Sequence, residues 1–157
     1  GAEHVLQALD ATDLPRVFFL NKMDKEHADF GRVLAALVER YGVRVVPVQW
    51  PIGEGPVFKG IVDLVRMKGY SFDASGNPSE VPIPEAAQAA AEHARGPLIE
   101  AVAEANDALL EKYFSSGELT EEELHDGLAS VIARFLECGA QCKRQIIDYS
   151  VFIWRFY

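Results

Sequence analysis

Asn21-Lys22-Met23-Asp24 places an amide, an ammonium and a carboxylate within four residues. That set has a definite chemical use, the reading of a guanine base. A carboxylate is acceptor-only and takes two parallel hydrogen bonds. Guanine offers two adjacent donors, its ring N1–H and its exocyclic amine, which match Asp24. Adenine would set its ring nitrogen against that carboxylate, acceptor to acceptor, at a cost of ~1–3 kcal/mol or more when buried. Asn21 has both a donor and an acceptor, so it serves the base and also braces a neighbouring loop. Lys22 can lay its methylene stem across the flat base while its ammonium stays in water.

A second set is geometric. Glu100, Glu104, Asp107 and Glu111 recur at i, i+4, i+7 and i+11, the spacing of one helix face. Leu98, Val102, Ala105 and Leu109 repeat the spacing on roughly the opposite face. Periodicity alone describes an ordinary amphipathic surface helix. His27, His93 and Glu54 have no partner pattern and are expected to be solvated.

The elements that must position these residues follow from the patterning. Val17-Phe18-Phe19-Leu20 reads as a buried strand, so the polar tetrad sits where that strand leaves its sheet. In open α/β sheets, ligands bind just outside the carboxyl ends of the strands. Asp29 can cap a helix over 30–41, with Phe30, Val33, Leu34, Leu37, Val38 and Tyr41 as its apolar face and Gly42 as its stop. A strand over 43–48 completes a βαβ rhythm, which predicts a parallel sheet. Val5, Leu6 and Leu9 predict a further helix over 3–12, ended by Pro15.

After Pro51 the rhythm changes. Residues 58–64 and 68–72 are strand-like, and Asp73-Ala74-Ser75-Gly76-Asn77-Pro78 is turn chemistry, which predicts a hairpin. Residues 84–114 read as helical with a break or kink at Gly96-Pro97. Thr120-Glu121-Glu122-Glu123 is a capping box opening a helix to about Ala133. The predicted organisation is residues 1–50 as part of a Rossmann-like α/β domain, 51–133 as an inserted α+β subdomain, and 134–157 as a separate tail.

A net charge of −9 makes the chain a poor nucleic-acid binder by itself. The tail sets four basic residues against two acidic ones, so its net +2 leaves −11 on residues 1–133. It also holds both cysteines, Cys138 and Cys142, and six of the sixteen aromatic residues. Two such cysteines make no disulfide framework and no placed metal site, which fits a reducing cytoplasm. No stretch is long and apolar enough to span a membrane. The opening Gly1-Ala2-Glu3-His4 leads to the expectation of a segment from a longer protein.

Several of these residues together resemble translation elongation factor G. They are Asn21-Lys22-Met23-Asp24, Pro51-Ile52-Gly53, Phe58-Lys59-Gly60-Ile61-Val62-Asp63-Leu64, Met67-Lys68, the helix 100–110, and Glu111-Lys112-Tyr113 with Glu118-Leu119-Thr120. The resemblance covers about residues 1–133, and the 51–133 insertion is particular to that factor and close relatives. It implies α/β architecture: part of a P-loop GTPase domain with a parallel sheet and the family's inserted subdomain. It further implies GTP or GDP as ligand, with Asn21, Lys22 and Asp24 on the base and the Mg²⁺ ligands outside this chain. The implied partners are the ribosome and its stalk protein, the latter through an acidic surface such as Glu100, Glu104 and Asp107. A ribosomal-protection or release-factor GTPase, or a nucleotide-free acidic docking module, are the alternatives.

The chain departs from the family in places. It contains no Gly-x-x-x-x-Gly-Lys-Ser/Thr phosphate loop, so no catalysis is expected of it alone. Asp73-Ala74-Ser75-Gly76 matches a switch pattern by letter but reads as a turn. Residues 134–157 lack the family's Ser-Ala step and are expected to add nothing to function. Within them Val151-Phe152-Ile153-Trp154 is an aggregation hazard if exposed.

Overall fold

The computed structural model describes residues 16–42, 45–104, 106–136 and 151–155. The helix expected over 3–12 and the two cysteines lie outside these residues. The chain is a mixed α/β protein with two sheets and four α-helices among the described residues.

The first strand is β1, Arg16–Leu20, and the helix that follows is α1, Phe30–Tyr41. Residues 17–20 of β1 are half-buried, not fully buried as expected. Asp29 caps α1 as expected, its carboxylate accepting from Arg32 N at 2.8 Å, and Gly42 ends it. Phe30 is fully buried, with Leu34, Leu37, Val38 and Tyr41 packed around it, while Val33 stays more than a third exposed. The short strand β2, Val45–Pro47, leads through one residue into β3, Gln49–Ile52. Strands β4, Gly60–Asp63, β5, Lys68–Phe72, and β6, Pro78–Val81, complete a four-stranded meander in the order β3-β4-β5-β6.

The parallel sheet expected from the βαβ rhythm is not formed. Every pairing in the four-stranded sheet is antiparallel. In the smaller sheet a seventh strand, β7, Val151–Arg155, lies between β1 and β2 and is antiparallel to both. Strands β1 and β2 therefore point the same way, as a βαβ unit requires, but they are not hydrogen-bonded neighbours. The reason is competition for the central position. The apolar run at 151–154 has the same strand propensity as 17–20, and it takes the ladder that β1 and β2 would have shared. The tail thus contributes a paired strand to the fold.

The expected hairpin is present. Asp73 organises its turn, accepting from Ser75 N and Asn77 N at 2.8 Å each, so the letter match to a switch motif is an Asx turn. Helix α2, Glu85–Glu104, then runs through Gly96-Pro97 without the break that was one of the two expected outcomes there. Proline removes one backbone bond, to the carbonyl of His93 on an exposed turn, while Ala94 and Leu98 beside it are locked in the core. The break falls instead before α3, Asp107–Ser116, where Asn106 is extended (φ −147°) and its side chain caps Ala108 N at 2.9 Å.

The capping box is formed in full. Thr120 N donates to Glu123 Oε2 at 2.9 Å and Glu123 N to Thr120 Oγ1 at 3.3 Å, opening α4, Glu121–Leu136. One core joins these parts: Val46, Ile52 and Val62 from the strands and Leu64 from the turn after β4 meet Leu98, Val102, Leu124 and Leu128 from the helices. Helix α4 approaches α2 closely at Gly127, where an added Cβ would lie 2.4 Å from a Val102 methyl. A smaller cluster of Met23, Phe30, Val45 and Ile61 underlies the polar tetrad.

Candidate functional site

The tetrad leaves the carboxyl end of β1 as expected, and its side chains divide by burial. Met23 is buried and anchors the loop in the smaller core, whereas Asn21 and Lys22 are exposed. Asn21 braces the loop, its Oδ1 accepting from Lys22 N at 2.7 Å. Lys22 is held at φ +60°, in the left-handed region that costs a non-glycine residue roughly 1–2 kcal/mol. Lys25 N closes the turn on Lys22 O at 3.1 Å.

Asp24 is paired with Lys25, whose ammonium lies 2.8 Å from its carboxylate. That hydrogen bond holds the Asp24 carboxyl below its usual range, so it stays ionised and acceptor-only at neutral pH. An open concavity of about 560 Å³ adjoins the loop, and Asn21, Lys22 and Met23 line it together with Lys25, Asp29 and Arg32. Asp24 is not among the lining residues; its carboxylate is directed to Lys25. The structure therefore brings Asn21 and Lys22 to one concavity and leaves Asp24 in an ion pair that a base would have to share or displace.

The turn thus presents one ionised carboxylate, one side-chain amide and an exposed lysine stem.

Two residues with a part in this loop have no signal in the sequence. Glu54 is not solvated as expected; its Oε1 accepts from Phe30 N at 3.0 Å and so caps α1 beside Asp29. Gly55 N donates to Met23 O at 2.9 Å, in the middle of the tetrad. Partners 24 to 32 residues apart leave no periodic trace, and only the Gly53-Glu54-Gly55 composition marks a turn there. His27 and His93 are exposed.

The acidic set is divided by the helix break. Glu100 and Glu104 are exposed on α2, and Asp107 is exposed in the first turn of α3. The single continuous face expected over 100–111 is thus two helix ends meeting at Asn106. None of the three carboxylates has an ion-pair partner among the described residues. The opposite stripe does face inward, with Leu98 and Val102 fully buried.

These features define a mixed α/β chain with a braced polar turn after its first strand. No family model matches it. Among solved structures it is similar to the protein ttk003000868 from Thermus thermophilus, with 28% sequence identity and a TM-score of 0.60. The match covers 73% of this chain and 17% of that one, so the chain spans about a sixth of its neighbour's length. No helix among the described residues is long and apolar enough to cross a membrane.

Proposed function

We propose that this chain is the guanine-reading segment of a longer ribosome-dependent translational GTPase resembling elongation factor G. The observation that carries the reading is the tetrad's setting: Asn21, Lys22 and Asp24 on a braced turn at the carboxyl end of β1, over a buried Met23 and beside an open concavity. Asp24 supplies the paired acceptors for guanine, Asn21 its amide, and Lys22 an apolar stem over the base. GTP supplies the phosphoanhydride that is hydrolysed, with Mg²⁺ and the phosphates held by residues elsewhere in the longer protein.

The test is Asp24→Asn in that longer protein, with labelled GDP and xanthosine diphosphate as ligands. One acceptor becomes a donor, so preference is expected to move from guanine to xanthine by roughly ten- to hundredfold. Unchanged selectivity would remove the base-reading role.

The exposed Glu100, Glu104 and Asp107 support a docking role for α2 and α3 toward a basic surface of the ribosomal stalk protein. Exposed charge pairs contribute only ~0.2–1 kcal/mol each, so the three act together and mainly on encounter rate. Reversing all three to Lys is expected to slow association with stalk protein at low salt and to have less effect at high salt. Equal association rates at low salt would make these residues an ordinary solvated face.

A further inference from the structure

We propose that Glu54 is a positioning residue for the Asn21–Asp24 turn, so that base recognition depends on the segment 53–57 that follows β3. The proposal rests on the guanine reading above. A base edge is recognised only if the carboxylate and amide are held within about 0.5 Å of the required place. Asn21 and Lys22 are exposed, and the bonds of the turn to itself fix its shape but not its position.

Beyond the buried Met23 side chain, position comes from two bonds to a segment far along the chain. At one end the backbone N–H of Phe30 opens α1, and the buried Phe30 ring denies it water. Asp29 satisfies Arg32 N instead, so Phe30 N is left to the Glu54 carboxylate at 3.0 Å. An anion there also meets the positive end of the α1 dipole. In the middle of the tetrad, Met23 O accepts from Gly55 N at 2.9 Å. Gly55 reaches it because its backbone is left-handed (φ +57°) and bare: a Cβ there would lie 3.2 Å from Lys25 O. Asp24 therefore lies between two points, Met23 and Phe30, that consecutive residues of one loop hold in place.

Glu54→Ala keeps the fold's core intact but frees Phe30 N, while Glu54→Gln keeps an acceptor without the charge. In the longer protein, Glu54→Ala is expected to raise the GDP dissociation rate roughly fivefold, the effect of one lost cap bond. It should also lower guanine-over-xanthine selectivity, which a role in stability alone would not change. Glu54→Gln should restore most of both.

In the 157-residue chain without nucleotide, hydrogen exchange at the Phe30 and Gly55 amides should quicken in the alanine variant. Both should recover in the glutamine variant, with β4 amides unchanged throughout. The proposal is overturned if Glu54→Ala keeps wild-type dissociation and selectivity while Asp24→Asn shifts selectivity as expected. It is also overturned if Phe30 exchange is the same in all three forms. If Asp24→Asn itself leaves selectivity unchanged, the guanine reading fails and this proposal fails with it.

Discussion

The four-stranded sheet takes its strands from residues 49–81 in chain order, each pairing with the next. The three-stranded sheet joins 16–20, 45–47 and 151–155, with the last in the middle. In the first, each ladder closes a loop of only a few residues, and turn chemistry at Asp73 fixes the register of Phe72 opposite Pro78. In the second, β7 must close a loop of about a hundred residues on β2. Loop closure grows only as the logarithm of length, by ≈ 0.6 kcal/mol per doubling. Distance along the chain is thus no bar to the pairing, but it removes every local cue to it. The polar turn at 21–24 hangs from the second kind of sheet, while α2, which carries Glu100 and Glu104, lies against β2 of the second and β3 of the first.

The largest effect expected from this contrast comes from ending the chain after Leu136. That removes β7, the strand bonded to both β1 and β2. Exchange at β1 and β2 amides should then quicken by orders of magnitude, while β4 amides stay protected by β3 and β5. Persistent protection of β1 would mean that β1 and β2 close up, since they already point the same way. That outcome would turn the small sheet into the parallel arrangement expected from the βαβ rhythm.

What was legible in the sequence follows the same division. The α1 cap at Asp29, the Asp73 turn and the Thr120–Glu123 capping box are each bonded within four residues, and each is where the sequence puts it. The strand before the tetrad was legible because four consecutive apolar, β-prone residues bounded by polar ones suit little else. The position of β7 was not, since its residues announce a strand but not a partner. That Gly96-Pro97 does not break α2 has a related reason. The proline's cost is local, one carbonyl on an exposed turn, while the burial of Leu98 and Val102 that outweighs it is tertiary. In the candidate site the place of residues 21–24 at the carboxyl end of β1 was legible from the apolar run before them. The parts of Glu54 and Gly55 were not, because what they do depends on a loop 24 to 32 residues away.

The smaller effect tests whether local signals also carry stability in the helical region. Glu123 accepts from Thr120 at its own helix start, and its other carboxylate oxygen is held by the ammonium of Lys112 on α3. The Lys112 hydrogen bond is the main cause that brings its pKa from 4.5 down to about 2. A carboxyl depressed in the folded state stabilises that state when ionised. Its contribution is fully present above pH 4.5 and is lost as pH falls through about 2, below which folded and unfolded chains are both protonated. Asp24 and Asp73 are also lowered and add to the same acid loss, so the informative quantity is a difference between variants. Glu123→Gln keeps an acceptor for Thr120 N but gives Lys112 no charge to meet. Urea midpoints of wild type and Glu123→Gln should therefore differ at about pH 7, with wild type the more stable, and converge as pH falls through about 2. Exposure of the pair and screening by salt keep the gap small. A gap that stays constant over that whole pH range would assign it to the shape of the capping box. The link between α3 and α4 would then be no more than a surface contact.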